Sequence, residues 1–329
     1  RYVGDAARPR EAALEWQRLL IEHGYAARTI PTAYGGYGAA PDVLKSRIIA
    51  EEFTRAGAPR GFANQGISML VPTLLEVGSE EQKIRWIGPT LRGEVVWCQG
   101  YSEPGAGSDL ASLQTKAVED GDDFVISGSK IWTSTAAQAD MIFCLVRTEP
   151  EAPKHDGISY LLFPMTTPGI EVRPLKTMTG SAEFNEVFFT DARVPTENLV
   201  GGLNEGWRVA TGSLGHERVM LWMGYVDLLH EMTIDFSPSG PLQRDGYATL
   251  VMDAYALRLL GSAALARAAR GEEDVPAQSV LKLLGSEALQ RAGEDALHAA
   301  GPDGLAARAV TAPFAPLNLD SHYRGWFDR

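Results

Sequence analysis

The sequence predicts an α+β fold in which one block of strands separates two blocks of helices. Three observations predict it. Apolar residues recur at helical spacing up to residue 93, at strand spacing from 94 to about 200, and at helical spacing again from 201 to 329. The expected architecture is a helical N-terminal domain (1–93), a middle β-barrel or sandwich domain (94–200) and a C-terminal helical bundle (201–329). The order is simplest if the two helical blocks form one bundle with the strands beside it.

In the first block, EAALEWQRLLIEHG places Ala12, Trp16, Leu19 and Leu20 on one helix face and stops at Gly24. PTAYGGYGAAPD is a Gly-rich loop, and DVLKSRIIAEEFTRAG and GISMLVPTLLEVG return to helical spacing. In SEEQKIRWIGPTL, Ser79 suits an N-cap and Glu80 and Glu81 suit the positive end of the helix dipole. The second block holds seven short segments rich in β-branched and aromatic residues, from EVVWCQGY to FNEVFFTDARVP, with EDGDD and SGSK read as hairpin turns. The third block offers SLGHERVMLWMGYVDLLHEM, then ATLVMDAYALRLLGSAALARAA, whose Leu250, Ala254, Leu257, Gly261 and Ala264 form a stripe, then SVLKLLGSEALQRAGEDALHAA and the loop GPDG.

Composition narrows the function. The net charge of −12 disfavours nucleic acid or an anionic lipid surface as a partner. Cys98 and Cys144 sit in apolar strands and read as reduced core thiols, which fits the cytoplasm. No signal-peptide pattern is visible, and no apolar run is expected to reach the ~18 residues of a membrane span. No metal-ligand pattern stands out.

Chemistry concentrates in YSEPGAGSDL, residues 101–110. Pro104 fixes the backbone after Glu103, while Gly105 and Gly107 allow a tight bend and close approach of a ligand to their amides. A second segment, GSKIWTST, follows after one strand. The region Ser79–Arg147 that contains both segments closely resembles the acyl-CoA dehydrogenase family, and AYGG and LGHER extend a weaker resemblance along most of the chain. The spacing of EPGAGSD to GSKIWTST is far more specific than either segment alone.

The resemblance implies FAD between the β domain and the C-terminal helices, and removal of two hydrogens from an acyl-CoA to give the 2-enoyl-CoA. It implies that Gln99, Tyr101 and Ser102, at a strand end, meet the pyrimidine edge of the flavin. Trp132 would then lie beside the ring, Ser134 would supply a hydroxyl near N5, and Ser108 would face the CoA portion. The family's base is a Glu. One source is a Glu-Gly loop beyond this chain; the other is the first residue of a Glu-Arg pair, here Glu217-Arg218, with Arg218 shaping the pocket. Glu217 also has a plain explanation as an acid in the first turn of its helix.

Two departures stand out. Where the family carries an Arg reaching a neighbouring subunit's FAD, this chain has Thr233, three residues before Phe236. Where it carries a Gln before a Gly-Gly pair, this chain has His298 and GPDG. Both losses fall on the face that serves the neighbour. They suggest a heteromer with a related subunit, and a homo-oligomer is the alternative. An electron-transferring flavoprotein is the acceptor the resemblance implies. The competing readings are a non-catalytic or half-site subunit and a flavin oxidase or monooxygenase on the same fold.

Overall fold

The computed structural model describes residues 11–300 apart from 178–181, 236–237, 269, 271 and 273–274. The N-terminal helices are α1 (Glu11–Glu22), α2 (Val43–Arg55), α3 (Val71–Val77) and α4 (Glu80–Leu91). Gly24 ends α1 at φ +70°, a conformation glycine adopts without a Cβ clash. The buried face of α1 is not the expected one. Gln17 and Leu20 are buried, while Trp16 and Leu19 stay partly exposed. Gln17 earns its place by hydrogen bonding: its amide donates to the Leu91 carbonyl at 2.7 Å and accepts from the Phe62 N–H at 2.9 Å. Ser79 caps α4 as expected, and Gln82 completes a reciprocal capping box. A π-helical turn, Gly66–Leu70, precedes α3. Pro72 follows it closely, and its ring would crowd the carbonyl four residues back in a regular helix.

The seven predicted strands are β1 (Trp97–Gly100), β2 (Lys116–Asp120), β3 (Asp123–Ser134), β4 (Met141–Arg147), β5 (Ile158–Pro164), β6 (Ile170–Leu175) and β7 (Phe184–Pro195). They form one sheet in the order β1-β4-β2-β3-β7-β6, with β5 on the other edge of β4. EDGDD does turn the β2–β3 hairpin. SGSK does not turn a hairpin. It lies inside β3, where Gly128 (φ +150°) marks a register shift against β7 and passes so close to Thr115 that a Cβ would meet its backbone at 2.7 Å.

β4 is buried on both faces, which explains its unbroken apolar run MIFCLVR. Phe143 and Leu145 face a core shared with α3 and α4 residues such as Leu74 and Leu91. Ile142, Cys144 and Val146 face a second core closed by Phe163, Val187 and Phe189.

Three long helices follow: α5 (Gly206–Asp235), α6 (Pro241–Ala268) and α7 (Val275–Ala300). The start of α5 lies against β5, where a Cβ on Gly206 would strike the Ser159 backbone at 2.5 Å. Leu229 on α5, Leu257 on α6 and Leu281 on α7 centre a third core. Gly285 of α7 receives the Tyr225 ring of α5, which a Cβ would meet at 2.3 Å. The predicted α6 stripe holds, with Leu250 and Leu257 buried and Ala254 and Ala264 packed against that core. One expectation is corrected: Pro241–Arg267 is long and apolar enough, by length and composition, to cross a membrane. Phe236 and the GPDG loop lie outside the described residues.

Candidate active site

β1 ends at Gly100, and the chain enters the Tyr101–Leu110 loop. A tight turn closes its centre, with Glu103 and Ala106 exchanging both backbone hydrogen bonds at 3.0 Å. Beyond that turn the loop is open. Ser108 is exposed, and a Cβ on Gly105 or Gly107 would meet nothing within 4 Å. The bend therefore does not require either glycine, as neither has positive φ. What their missing side chains leave is bare backbone facing free space, which suits the approach of a large ligand.

Two buried cations anchor the loop from below. The Lys130 ammonium, fully buried, donates to the Glu103 carboxylate at 2.7 Å and to the Tyr101 carbonyl at 3.1 Å. The same carboxylate accepts the backbone N–H groups of Gln114 (2.6 Å) and Thr115 (2.9 Å). Burial alone would raise the Glu103 pKa. The Lys130 charge and these donors outweigh it and hold the carboxyl below its ordinary range. The Arg147 guanidinium donates to the carbonyls of Ala111 (2.6 Å) and Lys154 (3.0 Å), fixing the far end of the loop.

The loop and the second segment meet directly. The Ile131 N–H donates to the Ser102 carbonyl at 2.9 Å. Between Lys130 and Thr133 the β3–β7 register shifts, and within that bulge Trp132 takes φ +60°. A bulky residue rarely occupies this region, and Thr135, three residues on, shares it at φ +61°. The bulge turns the indole outward, 60% exposed, with its ring edge-on to Phe184 at 5.9 Å. Ser134 closes the strand, half-buried, opposite Phe184.

Gln99 is half-buried, as is Ser102, whereas the Tyr101 side chain belongs to the core, edge-on to Phe143 and Tyr160. Only the Tyr101 backbone stands at the loop entrance. Behind it, the Tyr160 and Ser213 hydroxyls lie buried without a well-formed hydrogen bond. Burial, and then the Tyr101 hydroxyl, raise the Tyr160 pKa well above its ordinary value. The three hydroxyls of Tyr101, Tyr160 and Ser213 thus lie close enough to influence one another.

Ser213 leads to the predicted base. Glu217 and Arg218 stand one helical turn further along α5. Glu217 is eleven residues beyond Gly206, about three turns inside the helix, so the first-turn explanation of this acid is wrong. The side chains of Glu217 and Arg218 lie outside the described set. Glu103 and Lys130 were missed as site residues, although a signal existed. Phe124, Ile126 and Lys130 alternate inward along β3, and an inward lysine requires an acid.

Family profiles for the acyl-CoA dehydrogenase N-terminal, middle and C-terminal domains match residues 3–94, 98–192 and 238–324. Acyl-CoA dehydrogenase FadE29 of Mycobacterium tuberculosis (strain ATCC 25618 / H37Rv) is 34% identical over 291 residues, covering 86% of this chain and 74% of its own length. The chain belongs to the acyl-CoA dehydrogenase family. A further member from the same organism, acyl-CoA dehydrogenase FadE34, is 40% identical over 298 residues, covering 88% of this chain but only 41% of FadE34. Among solved structures, the Tcur3481-Tcur3483 steroid ACAD superposes with a TM-score of 0.78 at 32% identity, covering 97% of this chain and 86% of that one. Within this family fold the chain places its two motif segments, 101–110 and 130–134, side by side.

Proposed function

We propose that this chain is an FAD-dependent acyl-CoA dehydrogenase subunit that converts an acyl-CoA thioester to its 2-enoyl-CoA. The observation that carries this reading is the bond from Ile131 to Ser102, which joins a loop entrance to a bulge whose Trp132 faces outward. FAD, when bound, supplies the acceptor for the hydride that leaves the substrate's β carbon. The groups present suit it: a flat aromatic face at Trp132, hydroxyls at Ser102 and Ser134, an amide at Gln99 and open backbone at Gly105 and Gly107. Gln99, Ser102 and the Tyr101 backbone hold the polar edge of the ring. The Ser134 hydroxyl donates where negative charge develops. Ser108, on the exposed arm of the loop, contacts the CoA portion.

Glu217 takes the α proton while the β hydride departs, so one proton and one hydride leave and a C=C bond forms. Arg218 shapes the pocket. The position of Glu217 deep inside α5 supports this role, because the helix dipole no longer explains the acid. The test is Glu217→Gln. The variant keeps the visible flavin band and loses about 10²–10⁴-fold of dehydrogenation. Unchanged turnover would remove Glu217 as the base.

The subunit works beside a related one. Thr233 stands where the family carries its Arg toward a neighbour's FAD, and in the structure its hydroxyl is spent on the His230 carbonyl at 2.6 Å. The paired naming of the Tcur3481-Tcur3483 steroid ACAD supports a two-chain assembly and a bulky, steroid-like acyl group. So does the outward apolar surface of α6. The two free, buried thiols support a reducing compartment, the cytoplasm. An electron-transferring flavoprotein is the proposed acceptor.

A further inference from the structure

We infer that Lys130 and Glu103 are positioning residues whose buried ion pair holds the Trp132 bulge in its outward, left-handed shape. The inference rests on the reading of that bulge as the flavin's wall. Three observations on successive residues converge. Lys130 is tied to the Tyr101 carbonyl and the Glu103 carboxylate, Ile131 to the Ser102 carbonyl, and Trp132, next along the chain, takes a left-handed φ of +60°. A bulky residue at φ +60° relaxes into an ordinary strand conformation unless the residues before it are held. Here both are held, and each by the loop that forms the opposite side of the berth. The carboxylate is in turn fixed by two backbone N–H groups, so it cannot follow the lysine if the bulge slips. One ion pair thereby sets the distance between the two walls.

A buried pair can also be a mere match of charges, in which removing one partner strands the other and removing both relieves the strain. That difference gives the test. Lys130→Met, Glu103→Gln and the double variant are compared with the wild type in the full chain by three readouts: thermal midpoint, amide exchange across residues 131–135, and FAD affinity from the quenching of flavin fluorescence. Positioning predicts that Lys130→Met speeds exchange at 131–135 at least tenfold and weakens FAD binding at least tenfold. It also predicts that the double variant recovers its thermal midpoint but neither of the other two. Recovery of FAD affinity in the double variant, or unchanged exchange at 131–135 in either lysine variant, overturns the inference. Should Lys130→Met alone not fold, the double variant carries the same comparison. A wild-type chain that takes up no FAD refutes the berth itself, while the exchange arm still decides whether the pair holds the bulge.

Discussion

Around the Tyr101–Leu110 loop, the buried charges Glu103, Lys130 and Arg147 all find partners within the chain, whereas α6 turns much of its apolar surface outward. Leu242 is 89% exposed, Met252 63%, Tyr255 54% and Leu259 52%. The difference teaches which part of the molecule is complete by itself. The sheet spends desolvated charges to fix a surface, and they are worth fixing only because each is paired. The α6 face shows no such buried pairs among the described residues, and its run of large exposed apolar side chains on a 28-residue helix is the kind of surface that the proposed association would cover.

The largest expected effect breaks the α6 side of this comparison. Met252→Glu with Leu259→Glu puts charge on the outward face and leaves Leu250 and Leu257 in their core. Native mass spectrometry of the chain co-expressed with its proposed partner should show the assembly lost, with the fold kept by circular dichroism. Persistence of the complex would move the interface elsewhere. Transfer of the unmodified chain to lipid vesicles would instead favour a membrane surface for this helix.

The two regions were also unequally legible. Short runs rich in β-branched and aromatic residues, separated by turn residues, located all seven strands, because burial on one or both faces leaves a direct trace in residue type. The α6 stripe was readable for the same reason. SGSK misled because its turn-forming residues serve a bulge, and a bulge and a hairpin both ask for Gly with unusual backbone angles. The start of α5 was missed because Gly206 satisfies close packing on β5, which local propensity does not encode. That one error also hid the significance of Glu217. The roles of Gln17 and Gln82 depend on carbonyls 74 and 117 residues away, a separation no periodic pattern reports.

A contrast between two tryptophans sharpens the comparison within the sheet. Trp97 is buried, and its indole N–H donates to the Thr90 hydroxyl at 2.8 Å, so Trp97→Ala should cost about 3–5 kcal/mol in denaturant unfolding. Trp132→Gly loses one edge contact worth about 0.5–1.5 kcal/mol and relieves about 1–2 kcal/mol of left-handed strain. It should leave stability within about 1 kcal/mol of wild type and yet abolish the visible flavin complex. A loss at position 132 as large as that at 97 would mean that the bulge serves packing and not a ligand.

The smallest effect is pH dependence at the loop. Lys130 and the Gln114 and Thr115 amides overcome burial to hold the Glu103 carboxyl below its unfolded pKa. The stabilisation this group contributes is therefore fully present above the unfolded value, near pH 4.3, and is lost as pH falls through the lower, folded value. Between pH 8 and pH 5, amide exchange across 131–135, corrected for its intrinsic pH dependence, should stay flat. Below about pH 4 it should accelerate in the wild type before the α5–α7 helices open, because their core has no corresponding buried ion pair among the described residues. Glu103→Gln removes the titrating group, so its corrected profile should lack this acid step. A wild-type profile in which the loop and the helices open at the same pH would show that the sheet's charges do not set its local stability, and that the contrast between the two regions is one of surface alone.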